Sequence, residues 1–489
     1  MAQTPVLHTL PAELVREIIR ASCEESSEIV LPVPTPPSPV LSASQFCSRW
    51  RTIAHRERAL WQNFRIDLPD ALSEAQYETL MNYLANGARS NRLTLALRQD
   101  VHRALDVNPA IHILITYAPH LRSLSLELPA ETFIELLTLP VPPLALHHLE
   151  ELSVGVRVTE EIEDAFGAVD TLPSPFFNIA PQLTTLTLGY DRLRPIPLMP
   201  FPIEPFNLPW NQLTRVNAVN VWCDVNHFFL FALRSPNLTE FVLTLDAEDT
   251  EDPESPDDIS TLPNLRKFHV TFLDFYRWLW TNTTMPGIVD LKIATYIDDL
   301  EWEDDAFEEF MDRSCFNLTH LELHFGLHNL CLAMPQLLNR SPELQELTVR
   351  WTREDEPEEA MDNTPLMALL AYDPNTPLKN PQIHTLRVDA TRGSLQMLTS
   401  RATAPNSTLK EVVLYAREPA ACVSVFATEI YRIRAAGVHV RCEEIVFPDK
   451  WVYQDQTDLD PRPMEEDDEE EEETTGSEEE EADAEESGS

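Results

Sequence analysis

One pattern constrains this 489-residue chain more than any other. From residue 121 onward, an apolar residue is followed by two variable positions, an apolar residue, one variable position and a third apolar residue. The instances begin at Leu121, Leu149, Leu183, Leu213, Leu238, Leu265, Ile288, Leu318, Leu344, Ile383 and Leu409. Leu318-Thr319-His320-Leu321-Glu322-Leu323 and Leu344-Gln345-Glu346-Leu347-Thr348-Val349 are among the clearest. Consecutive starts lie 23 to 39 residues apart, most of them 25 to 30. The closing alternation puts the anchors on one face and polar residues on the other, as in a half-buried strand. Pro119, Pro181, Pro236, Pro263 and Pro342 stand two residues before an anchor, where proline ends a preceding helix without entering a strand ladder. Apolar helical stretches fill several intervals, among them 226–233, 307–313 and 332–339. A strand-loop-helix unit of this size buries its apolar face only by stacking on its neighbours. An α/β repeat stack is the expectation.

The period resembles that of leucine-rich repeats. The resemblance implies a degenerate α/β solenoid, a horseshoe, over residues 111–450, after a helical linker and first repeat at 68–110. The chain departs from the family at one place. Three positions after the last anchor, where the family has Asn or Cys, stand Pro129, Arg157, Asp191 and Gly326. The turns must therefore satisfy their backbone groups in another way. The segment 422–442 is expected to close the C-terminal end of the stack, with a helix at 422–434 followed by a strand at 438–441.

The first 67 residues read differently. Pro11 sits in the first turn of a helix and Glu13 at its dipole-favoured end. Leu14 and Ile18, with Val15 and Ile19 beside them, make an apolar stripe, and the helix should stop near Ala21. Residues 32–39, rich in proline, are expected to form an extended surface loop within an insertion at 22–40. Ser42 with Gln45 has the spacing of a capping box for a second helix, on which Phe46, Cys47, Trp50, Ile53 and Ala54 share a face. Leu60, Trp61 and Phe64 open a third short apolar segment. So much aromatic surface on so few helices calls for a partner.

Leu10-Pro11-Ala12-Glu13-Leu14, then Cys47-Ser48-Arg49-Trp50-Arg51, then Leu60-Trp61 resemble, in this order, an F-box. That short helical module docks a protein onto a Skp-family adaptor in cullin-RING ubiquitin ligases. The proline-rich insertion is similar to versions common in mushroom-forming fungi. The resemblance implies that Leu10, Pro11, Ile18, Cys47, Trp50 and Trp61 lie at or near the adaptor interface. The remaining chain would then select a protein substrate.

If the anchors point inward, the alternate positions form the recognition face. Repeats six to ten then present Lys267, His269, Asp290, Lys292, His320, Glu322, His324, Glu346, Thr348, Arg350, Arg387 and Asp389, whose four cations and four carboxylates cancel. From these, Lys267, His269, Lys292, His320, Glu322, His324, Arg350 and Arg387 are the candidate substrate-binding residues. Acidic clusters at 160–164, 246–258, 298–309 and 354–359 begin 8 to 11 residues after an anchor. Equal phase implies one acidic rim, which would steer a basic substrate. Acids that simply precede helices are the other reading of the same clusters.

The net charge of −45 is uneven. Residues 465–486 hold 16 acids and no base, which leaves −29 on the rest, whereas residues 1–66 carry seven Arg against six Glu. Phosphate would repel such a chain, so no nucleic-acid partner is expected. No apolar run of about 18 residues suits a membrane span, and the N-terminus lacks a signal-peptide layout. The seven scattered cysteines fit a reducing compartment, cytoplasmic or nuclear. Residues 455–489 lack apolar periodicity, and a disordered acidic tail is expected over 451–489, in which Thr475 and Ser477 each have Glu three positions later.

Catalytic signatures are missing: no Gly-x-Ser-x-Gly, no His-Glu-x-x-His and no phosphate-cradling loop. Cys315, His320, His324, His328 and Cys331 invite a zinc reading. On a strand, however, His320 and His324 would stand about 13 Å apart, too far for one ion with bonds of about 2.0–2.1 Å. No enzyme activity, metal or cofactor is expected. The other function compatible with these features is an acidic repeat scaffold or chaperone for basic proteins, not linked to a ubiquitin ligase.

Overall fold

From Leu149 onward, each of the anchored segments becomes a strand that starts two residues after its first anchor. In the computed structural model, residues 10–23, 28–31, 39–68, 72–89, 92–99, 108–138, 146–157, 177, 180–189, 208–223, 225–245, 259–272, 277–295, 304–325, 336–351, 365–375 and 380–444 are described. The strands are β1 (Ile29–Leu31), β2 (Asn63–Leu68), β3 (Leu93–Gln99), β4 (Leu121–Pro129), β5 (Glu151–Arg157), β6 (Thr185–Gly189), β7 (Arg215–Cys223), β8 (Glu240–Leu245) and β9 (Ser260–Thr261). They continue as β10 (Lys267–Phe272), β11 (Thr283–Thr284), β12 (Asp290–Thr295), β13 (His320–Phe325), β14 (Glu346–Trp351), β15 (Thr385–Asp389), β16 (Glu411–Ala416) and β17 (His439–Glu444).

All but β9 and β11, which pair with each other, form one 15-stranded sheet in chain order. Adjacent strands run parallel throughout, for example Lys267 opposite Asp290 and Asp290 opposite His320. A parallel pair needs a crossover between its strands, and helices at 225–234, 304–314 and 392–402 supply such crossovers.

The three anchors of each unit point to the side that the helices cover. Leu318, Leu321 and Leu323 are at most 1% exposed, and the equivalent residues of the other units are buried alike. They join helix residues such as Phe228, Phe307, Phe310, Leu395 and Leu398 in one hydrophobic cluster that runs from Val15 to Val440.

A backbone ladder links the leading ends of the strands. The amide following each first anchor donates to the carbonyl at the same position one unit earlier. Bonds of 2.8–2.9 Å run from Glu150 to Arg122, Thr184 to Glu150, Thr214 to Thr184, Thr239 to Thr214 and onward to His439 on Lys410. Side-chain amides just before the anchors add a parallel rung, as Asn237 Nδ2 donates to the Asn211 carbonyl (2.7 Å) and Asn264 Nδ2 to that of Pro236 (3.1 Å). These bonds satisfy groups that would be costly to bury unpaired.

The head is not set apart from the stack. Its helices are α1 (Ala12–Cys23), α2 (Pro39–Phe46) and α3 (Ser48–Arg56), and a 3-10 turn at Arg58–Trp61 leads into β2. β2 pairs in parallel with β3, so the sheet runs straight through the boundary expected at residues 67 and 68. Met1–Val446 is one compact unit, and Phe447–Ser489, a second one, lies outside the described residues. The acidic tail expected from residue 451 therefore lies outside them too.

Two local expectations need correction. Within the insertion at 22–40, Ile29–Leu31 is a strand, paired in parallel with β2 and with Ile29 fully buried. Its three apolar residues cover the sheet edge; of the loop expected at 32–39, residues 32–38 lie outside the described residues and Pro39 belongs to α2. Ser42 lies inside α2, which Pro39 starts, so it opens no second helix. The break falls at Cys47, whose Sγ accepts from the Trp50 amide and caps α3. The helix α1 reaches Cys23, close to the expected stop. At the other end, two helices, at 419–425 and 427–435, stand where one was expected at 422–434, and the edge strand β17 covers the strand expected at 438–441.

Candidate functional site

Two surfaces hold the residues that the sequence singles out. On the head, α1 turns Val15 and Ile19 into the core, at 0% and 2% exposure, and leaves Leu14 and Ile18 outside at 51% and 41%. Pro11 is exposed beside them and Leu10 half-buried against the core. Phe46, at the end of α2, is also largely exposed. Salt bridges from Arg16 (2.8 Å) and Arg20 (2.9 Å) to Glu57 tie α1 to the end of α3.

Trp50 and Trp61 do not share this surface. Trp61 is fully buried, donates Nε1–H to the Ala54 carbonyl (2.8 Å) and stacks between His55 and Tyr83. Tyr83 belongs to α4 (Glu74–Ala88), which lies close because Gly87 has no side chain: a Cβ there would overlap the Trp61 carbonyl. Trp50 is buried with its ring 5.0 Å from that of Phe46. Both tryptophans fill the space between the helices and the first strands, so neither offers its ring to a partner. Cys47 is half-buried and engaged in its cap. Leu14 and Phe46 are the exposed residues missing from the expected contact set. The stripe of Leu14, Val15, Ile18 and Ile19 was legible, but which of its residues face inward depends on what α1 packs against.

The second surface is the polar face of β10 and β12–β17. Register places Lys267, Asp290, His320, Glu346, Thr385, Glu411 and His439 in one row. His269, Lys292, Glu322, Thr348, Arg387, Val413 and Arg441 make the next. All eight candidate substrate-binding residues are on this face. Polar partners meet across strands: the His269 ring with Asp290 (3.0 Å), and the ion pairs Lys292–Glu322 (2.5 Å), Arg387–Glu346 (2.9 Å) and Arg441–Glu411 (2.5 Å). His324 Nε2 lies 2.9 Å from Glu322, and the Arg350 guanidinium sits 4.5 Å above the Tyr415 ring.

These contacts move protons. Burial alone would raise the Glu322 carboxyl, but the adjoining His324 imidazole and the Lys292 charge outweigh it and hold it well below the usual carboxylate range. Burial lowers His324 more than Glu322 raises it, which favours the neutral imidazole. Asp290 is likewise lowered against its burial by His269, Lys267 and His320. Half-exposed pairs of this kind contribute about 0–1 kcal/mol each, so their larger effect is on recognition. A partner that uses one of these charges must displace its present counter-ion.

The expected face is incomplete at both ends. Glu411, Tyr415, Arg441 and Glu443 extend it onto β16 and β17. Toward the N-terminus, Thr94, Ala96, Ser123, Ser125, Ser153, Gly155, Thr185 and Thr187 occupy the equivalent positions on β3–β6. Charge recurs there as well, with Glu151 in the first row, Arg98 paired to Glu127 (3.8 Å) and Arg215 to Glu240 (3.3 Å).

Of the acidic clusters, 160–164, 246–258, 298–303 and 354–359 lie outside the described residues. Asp305 stands in the first turn of the 304–314 helix, where acids favour the dipole. His320 and His324 do share one strand, β13, whereas His328 and Cys331 lie outside the described residues. Among the described residues no three His, Cys, Asp or Glu side chains are grouped to hold a metal ion, and no helix is long and apolar enough to cross a membrane.

Fold and surfaces define an α/β protein built on one large parallel sheet, with one face packed and the other carrying ordered charge. No family model matches the chain, and no curated protein matches its sequence.

Proposed function

We propose that this chain is an F-box-type adaptor with a leucine-rich-repeat-like solenoid, which recruits a protein substrate to a cullin-RING ubiquitin ligase in the cytoplasm or nucleus. The observation that carries this reading is the outward placement of Leu14, Ile18 and Phe46 on a head whose core is already filled by Val15, Ile19, Trp50 and Trp61. Covering what remains exposed of Leu14 and Ile18, about half of each, would contribute about 0.7–1.5 kcal/mol per residue. A Skp-family adaptor is the partner on that side, and the polar sheet face holds the client on the other. The chain itself transfers nothing; it raises the local concentration of the client near subunits that do. With its ion pairs satisfied internally, the sheet face selects by shape and hydrogen bonding more than by net charge.

A binding titration against a purified Skp-family adaptor tests this. Wild type should bind, and Leu14→Glu/Ile18→Glu should lose binding about 100-fold or more, since each change removes apolar burial and would bury a charge. Its melting temperature should stay near that of wild type because both residues are exposed. Failure of the wild type to bind would overturn the reading.

A further inference from the structure

The C-terminal end of the stack carries a pair of thiols that the adaptor reading does not use. Cys422, in the 419–425 helix, and Cys442, in β17, bring their sulfurs to 4.0 Å. Alternation along β17 places Cys442 on the same side as the buried Val440, facing the helices. Cys422 is buried at 6% exposure and Cys442 is half-buried, so one sulfur is shielded and its neighbour can be reached. The segment between them contains the 427–435 helix, whose Ile430 and Ile433 are buried in the same cluster. A disulfide needs sulfurs about 2.05 Å apart. A shift of roughly 1 Å by each side chain closes the gap, well within a rotamer adjustment.

We propose that Cys422 and Cys442 form a peroxide-oxidised disulfide site that fastens the last helices to the edge strand. The Cys442 thiolate attacks one oxygen of a hydroperoxide; the O–O bond breaks, and with hydrogen peroxide the leaving hydroxide takes a proton to become water. The resulting sulfenic acid is attacked at sulfur by the Cys422 thiolate. Its S–O bond breaks, the disulfide forms and a second water leaves. Overall two thiols are oxidised, one peroxide is reduced and two waters result. The bond closes a loop over the whole C-terminal cap, where β17 is otherwise hydrogen-bonded on one side only, to β16.

Treatment of the full chain with hydrogen peroxide, followed by intact-mass analysis and a non-reducing digest, tests this. Wild type should lose two hydrogens and yield a linked peptide pair containing residues 422 and 442. Amide exchange in β17 should slow about tenfold or more, because the link restrains the opened cap, and dithiothreitol should reverse both effects. Cys442→Ser and, separately, Cys422→Ala should give no linked pair and no peroxide-dependent change in exchange. A treated wild type with no 422–442 link, or with either cysteine linked elsewhere at equal yield, would overturn the proposal.

Discussion

Trp61 offers the sharpest test of how the head is built, because its sequence context and its location pull in different directions. By resemblance it belongs to an adaptor interface; in the structure it is fully buried between His55 and Tyr83 and bonded to Ala54. Trp61→Ala would remove a large ring from a filled core, a change that costs about 3–5 kcal/mol, and would leave the Ala54 carbonyl without this donor. At about 1.4 kcal/mol per factor of ten, that is two to three and a half decades in the opening equilibrium of the first units. Trp61→Phe keeps an aromatic ring but loses the Nε1 bond, for about 1 kcal/mol in hydrogen bonding and a smaller packing loss. Hydrogen exchange of the full chain reads this directly, since segments open locally with their own free energies. Protection should fall in α3, β2 and α4 and stay unchanged in β13–β17. If Trp61→Ala left the exchange of those head segments untouched while abolishing adaptor binding, the burial argument would be refuted.

Two further outcomes follow from buried charge. Arg401 is 1% exposed, donates to the carbonyls of Leu370 (3.1 Å) and Asn380 (2.5 Å), and is lowered by burial to about 10. Arg401→Met should therefore destabilise the units around 365–402 by about 2–4 kcal/mol through lost charge-assisted bonds and orphaned carbonyls, read as an earlier urea transition, and Arg401→Lys should rescue it only in part. Glu322 has a folded pKa below its ordinary 4.5 and His324 one below 6.5. Both signs give stability that is full above those ordinary values and is lost as pH falls through the lowered folded ones. Melting temperatures should drop from pH 7 toward pH 3, and Glu322→Gln should flatten the part of that slope below pH 4.5; an unchanged slope would remove Glu322 from the account.

Local pattern and tertiary packing contributed different things here. The strands were legible because an apolar residue at positions one, four and six leaves few ways to hide it, and all eleven starts reappear as buried anchors. Identical phase then dictated which residues share the polar face, so Lys267, His269, Lys292, His320, Glu322, His324, Arg350 and Arg387 could be placed together before any coordinates. Their partners were not legible, because the Lys292–Glu322 and Arg387–Glu346 pairs join residues 30 and 41 positions apart through strand register.

The head shows the limit most clearly. Sequence periodicity determined that α1 carries an apolar stripe of Leu14, Val15, Ile18 and Ile19, and composition determined that the helices alone could not absorb their aromatic residues. Only the tertiary structure decided that Val15 and Ile19 go in and Leu14 and Ile18 stay out, that Ile29–Leu31 caps the sheet edge, and that Trp61 serves the core. The physical reason is that periodicity reports which residues avoid water, whereas burial depends on which surface arrives to cover them.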